Sequence, residues 1–129
     1  MNTPLPNFDQ PEIGTALAGM AEAVLDELTF GVIGFDSDTV VCLYNTFESR
    51  HSGLSRERVI GSAFFTVVAP CMNNFLVAQR FQDVHGTGEA LDETIDYVLT
   101  LRMRPVKVRL RLVAQPDCAM RYVLVYRTV

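Results

Sequence analysis

A chain of 129 residues with 49% hydrophobic side chains has the length and apolar content for one globular domain with a core of its own. Its net charge of −4 and lack of a recognition motif argue against a nucleic-acid binder, and no apolar run approaches the length of a membrane span. Three cysteines (Cys42, Cys71, Cys118) without CxxC spacing, and only two histidines (His51, His85), supply neither a disulfide framework nor a structural zinc site. The opening MNTPLPNFDQ lacks the basic start and apolar stretch of a signal peptide, so the expectation is a soluble, cytoplasmic protein, a monomer or weak dimer.

In chain order, residues 1–10 carry two prolines and no periodicity and read as a loosely held arm. Pro11 and Glu12 suit the first turn of a helix. Ile13, Leu17, Met20, Val24 and Leu28 then recur at helical spacing, interrupted near Gly19. Residues 1–28 are therefore predicted to form an arm and helical cap, and residues 29–129 a core. Phe30–Asp36 and Thr39–Asn45 are β-type runs joined by the turn pair Ser37-Asp38. A short polar helical region follows, with Ser55 as a candidate N-cap.

The stretch Val59–Cys71, VIGSAFFTVVAPC, carries an apolar run into a thiol. Phe64, Phe65, Val67 and Val68 read as core, and Pro70 stiffens the backbone that presents Cys71. By itself Cys71 reads more readily as a small buried hydrophobe, like most free cysteines. Asn73-Asn74 can cap a helix with Val77, Phe81 and Val84 on one face, ended by Gly86 and Gly88. Period-two alternation then marks strands at about Thr94–Met103, Val106–Leu112 and Arg121–Tyr126. The fold expected is α+β, with a five-stranded antiparallel sheet and short helices on one face.

Charge is unevenly spread. Residues 1–49 hold Asp9, Glu12, Glu22, Asp26, Glu27, Asp36, Asp38 and Glu48 but no Lys or Arg, whereas the strands near the end carry Lys107, Arg109 and Arg111. Charge pairing between the cap and those strands is the expectation, against the alternative of a merely solvated basic face.

This order of elements resembles a PAS domain, and the local motifs resemble the photoactive yellow protein family more closely. They are LxFGVIxxD at Leu28–Asp36, YNxxE at Tyr44–Glu48, VIGxxFFxxVAPC at Val59–Cys71 and, more faintly, MxPxKV at Met103–Val108. The resemblance implies a 4-hydroxycinnamic (p-coumaric) acid held as a thioester on Cys71. Tyr44 and Glu48 then hydrogen-bond its phenolate, and Ser52 supports the Tyr44 hydroxyl. It also implies a pocket of Ile33, Leu54, Phe64, Val68, Ala69, Pro70, Met72, Leu99 and Met103. Leu54 stands where the family often has an arginine, Met72 where it has a small polar residue, and Leu99 and Leu101 where it has aromatics.

A buried phenolate needs donors, and Glu48 is one only when protonated; burial beside another negative group favours that neutral form. The sequence thus points to a blue-light photoreceptor in which isomerisation draws a proton from Glu48 and loosens the cap, acting on a downstream signalling protein that the sequence does not identify. Two other classes compete with it. One is a non-photochemical PAS sensor or dimerisation module for another small ligand; the other is a cysteine enzyme using Cys71 with His51.

Overall fold

Apolar residues on both sides of the central strands require cover on both faces of a sheet, and the chain supplies it. The computed structural model describes residues 5–100 and 105–127. Strands β1 (Gly31–Phe35), β2 (Val41–Tyr44), β3 (Leu91–Leu99), β4 (Val106–Ala114) and β5 (Arg121–Arg127) pair antiparallel in the order β2-β1-β5-β4-β3. On β5, Val123 and Val125 enter one core, whereas Tyr122 and Leu124 enter the other.

The first core lies between the sheet and the helices α3 (Thr46–Ser52), α4 (Arg56–Val59) and α5 (Ala78–Val84), with a π-helical turn at Phe64–Val68 and a 3-10 turn at Pro70–Met72. Phe35 stacks on Phe64 and meets Phe65 and Phe81 edge-on. The second core lies under the cap, whose helices α1 (Ile13–Ala18) and α2 (Glu22–Leu25) bring Ile13, Leu17 and Leu25 onto Val32, Val113 and Leu124. None of the helices among the described residues is long and apolar enough to cross a membrane.

Several local expectations are corrected. Pro11 and Glu12 precede α1 instead of opening it, and Glu12 takes a left-handed backbone as its N-cap. The break after Gly19 re-phases the second half of the cap stripe, so Leu25 is buried and Val24 only half-buried. Ser55 does occupy the N-cap of α4, but its side chain makes no capping bond. Strand β3 begins three residues earlier than Thr94, while the far end of that predicted run, with Met103, lies outside the described residues. In the π-helical turn the backbone closes from Ala69 N–H to Phe64 C=O, which turns Phe64, Phe65 and Val68 inward and leaves Val67 66% exposed.

The cap is not held as the charge pattern suggests. Lys107 and Arg109 are exposed, and the contact recorded for Arg109 is a long one with Asp96. Arg111 is buried: it forks onto Asp92 of the neighbouring strand (2.7 Å to each oxygen) and donates to the Phe8 and Gln10 carbonyls (2.8 and 2.7 Å). The described part of the arm is therefore tied down, with Phe8 packed on Phe30 and Tyr126. The acidic cap residues Glu22 and Asp26 instead meet Arg56 of α4, at 2.9 and 2.5 Å. Burial pushes the Asp26 carboxyl up, but bonds from the Thr46 amide and hydroxyl and from Arg56 outweigh it, holding Asp26 below its usual 3.8.

Two outcomes follow from these contacts. Arg111→Met removes a charged donor from two strands and the arm, and should lower the unfolding free energy by about 1–3 kcal/mol and open residues 5–10 to protease; an unchanged urea midpoint with unchanged cleavage contradicts this. A lowered folded-state value makes the Asp26 contribution present above the unfolded value of 3.8 and lost as pH falls through the folded one. Asp26→Asn should therefore flatten the acid limb of a thermal-stability curve below about pH 4, and an acid limb identical to wild type would speak against it.

Candidate functional site

The thiol of Cys71 sits in the 3-10 turn that Pro70 opens, half-exposed at the edge of the first core. Its carbonyl is fixed from two directions, by the Tyr97 hydroxyl of β3 at 2.5 Å and the Asn74 amide at 3.1 Å. Asn74 also donates to the Tyr97 oxygen (2.7 Å), and its own oxygen accepts from the Leu76 and Val77 amides. Sequence reading gave Asn74 only the capping role and missed Tyr97, whose position in an alternating strand carries no sign of a partner 26 residues away.

A cavity of about 420 Å³ opens beside the thiol, lined by Ser52, Leu54, Val67, Val68, Pro70, Cys71 and Thr100. Of the predicted pocket, Leu54, Val68 and Pro70 line it directly. Ile33, Phe64, Ala69, Met72 and Leu99 stand behind it as members of the first core, and Met103 lies outside the described residues.

The polar end of the site is built by α3. Asn45 is its N-cap and is itself buried: its oxygen accepts from the Val32 and Glu48 amides, and its nitrogen donates to the Leu25 and Phe30 carbonyls, both at 3.0 Å. That single side chain joins cap, strand β1 and helix. Two helical turns onward the structure brings Ser52 to Tyr44, with their oxygens 2.6 Å apart, and the Leu54 amide donates to the serine oxygen. Burial, then the charge of Glu48, push the Tyr44 hydroxyl up to about 12, against the opposing effects of Ser52 and Arg127, so Tyr44 is a donor throughout the neutral range. The Tyr44 carbonyl accepts from Arg56 at 2.8 Å, which links the site to the residue that holds Glu22 and Asp26 of the cap.

Glu48 is 1% exposed, and its partner is a residue that sequence reading passed over. Arg127, at the end of β5, directs Nη1 to one carboxylate oxygen (2.5 Å) and Nη2 to the other (3.0 Å), the bidentate fork of an ion pair. Gly31 makes the room, since a Cβ there would lie 2.1 Å from Glu48 Oε1. The inward direction of Arg127 was legible in principle: it keeps parity with Val123 and Val125, both fully buried on that face.

The other candidates disperse. His51 stacks on Phe47 and bonds its carbonyl, outside the lining of the Cys71 cavity, so no base is brought to the thiol by that residue. Cys42 is exposed.

Residues 19–125 match the family model of the PAS fold, which defines the class of domain. The chain is 34% identical over 105 residues to the photoactive yellow protein of Rhodothalassium salexigens, covering 81% of this chain and 83% of that one. It is 33% identical over 106 residues to that of Halochromatium salexigens, covering 82% and 84%. The crystal structure of the photoactive yellow protein domain from the sensor histidine kinase Ppr of Rhodospirillum centenum superposes with a TM-score of 0.80 at 38% identity, over 88% of this chain and 98% of that domain. The chain belongs to the photoactive yellow protein family of PAS domains.

Gly31→Ala tests how tightly Glu48 is seated. The added methyl must displace the carboxylate from Arg127 and should cost about 3 kcal/mol of stability in urea unfolding, as breaking a buried pair does; wild-type stability in this variant would show the seat to be loose.

Proposed function

We propose that the chain is a blue-light photoreceptor carrying 4-hydroxycinnamic acid as a thioester on Cys71. The observation that carries the reading is that one cavity has the thiol on its wall and the Ser52 hydroxyl, bonded to Tyr44, on the same lining. Its volume falls within the range usual for small-ligand sites, and its walls are mainly apolar, as a planar aromatic acyl group requires. Loading needs only the Cys71 thiolate and an activated hydroxycinnamoyl donor: the sulfur–carbonyl bond forms as the donor's leaving group departs. Attached there, the group supplies a light-isomerisable double bond and an acidic phenol.

The chain's own residues do the rest. Tyr97 and Asn74 hold the Cys71 carbonyl, which keeps the attachment point still relative to the sheet. Ser52 holds the Tyr44 hydroxyl ready to donate to an anionic oxygen, a role its raised pKa allows at every physiological pH. Glu48, when protonated, is a second donor to that oxygen and can release its proton to it; as a carboxylate it turns to Arg127. A charge change at Glu48 reaches the cap through Asn45, which accepts from the Glu48 amide while donating to Leu25 and Phe30. Loosening of the cap is then the signal offered to a downstream signalling protein in the cytoplasm.

The competing reading, a PAS sensor for a reversible ligand, is favoured by one observation: the Glu48 oxygens are engaged by Arg127. Intact mass separates the two. Protein expressed with an activated hydroxycinnamoyl donor is expected to turn yellow and gain one hydroxycinnamoyl group that Cys71→Ala does not gain. An unchanged mass in folded protein, with a ligand lost on denaturation, would replace the photoreceptor by the sensor.

A further inference from the structure

We infer that Arg127 is the internal counter-ion of Glu48, a positioning residue that receives the carboxylate whenever Glu48 has given up its proton. This rests on the photoreceptor reading for its role in signalling, though not for the pairing itself.

Three observations lead to it. First, the pair is shielded, with side-chain exposures of 9% for Arg127 and 2% for Glu48, so water does little to solvate either charge. Second, the geometry is two nitrogens on two oxygens, which suits a carboxylate, since both oxygens must accept. Third, the position is built for that placement from both sides: Gly31 of β1 leaves the room that a Cβ would fill, and β5 pairs with β1 so that Gly31 and Val125 are opposite, two residues before Arg127. Tyr44 lies in the electrostatic neighbourhood of the pair, and its neutral hydroxyl contributes no competing charge.

The consequence is a two-position acid. Protonated, Glu48 is the proton donor of the proposed function; ionised, it is held by Arg127. A proton leaving Glu48 therefore leaves a paired charge, not a bare one, and Arg127 stabilises the state that follows proton loss. Taking Arg127 away removes that stabilisation and returns Glu48 to its neutral form.

Infrared spectroscopy with carbon-13-labelled glutamate reads this without any pigment. In protein expressed with no hydroxycinnamoyl donor, the Glu48 signal, identified by its loss in Glu48→Gln, is expected as carboxylate in wild type and in Arg127→Lys at neutral pH. In Arg127→Gln it is expected as the protonated carboxyl. A protonated Glu48 in wild type overturns the inference, and so does a carboxylate that persists in Arg127→Gln; the wild-type result stands even if a variant fails to fold. In loaded protein, Arg127→Gln should shorten the lifetime of the bleached state by about tenfold, the equivalent of one pKa unit of lost stabilisation, with Arg127→Lys close to wild type. An unchanged lifetime overturns the signalling role. Failure of wild type to load at Cys71 would sink the photoreceptor reading while leaving the infrared result on the pair intact.

Discussion

A carboxyl group with 1% exposure, set between β1 and the end of β5, is the constraint around which the rest of this domain is arranged. A buried carboxylate without a partner is not tolerated at ordinary stabilities, so Glu48 must at all times be answered by a proton or by a cation. The structure shows the cation, Arg127, and the space that seats the carboxylate, left by Gly31. Breaking such a pair by removing one member typically costs about 3–5 kcal/mol, a large share of the stability of a small domain.

The helix that carries Glu48 is also tied to the cap. Asn45 lies at the junction of α3, β1 and the cap, and Arg56 bridges the Tyr44 carbonyl to Asp26 and Glu22. These links differ in strength. The Glu22 contact, with a side chain 67% exposed, belongs to the class of surface pairs worth about 0–1 kcal/mol, so it steers the cap more than it holds it. The holding is done by apolar burial of Ile13, Leu17, Leu25 and Phe8 and by the hydrogen bonds of Arg111 and Asn45, each of which draws on buried donors. A cap fastened in this way is released by disturbing a few interior bonds, not by salt acting on its surface.

How much of this was legible in the chain depended on range. Alternation and helical spacing are local, and they located five strands, their antiparallel character and the two-part cap. The motifs around Tyr44, Glu48 and Cys71 likewise marked two residues that the fold buries and a thiol at the edge of the first core, Cys71 alone of the three lining the cavity. What the sequence hid was pairing across long separations. Arg127 reaches Glu48 over 79 positions and Arg111 reaches the Phe8 carbonyl over 103; Arg111 looked like the polar side of a strand with one wet face, and Arg127 lay beyond the predicted last strand. The error lay in assuming a single buried face: β4 and β5 both send residues into the two cores, so a basic residue on either needed a partner inside. Val67 was misplaced for a different reason, since a π-helical turn has a period that neither the strand nor the α-helix template describes.

The chain is a member of the photoactive yellow protein family of PAS domains, and light-driven proton movement within it is the proposal that the cavity at Cys71 and the buried Glu48 support. The most direct measurement is the absorption spectrum of protein loaded with the hydroxycinnamoyl group, recorded before and after a blue flash. The account predicts a visible band that bleaches on the flash and returns in the dark. A loaded protein whose band is unchanged by the flash would contradict it.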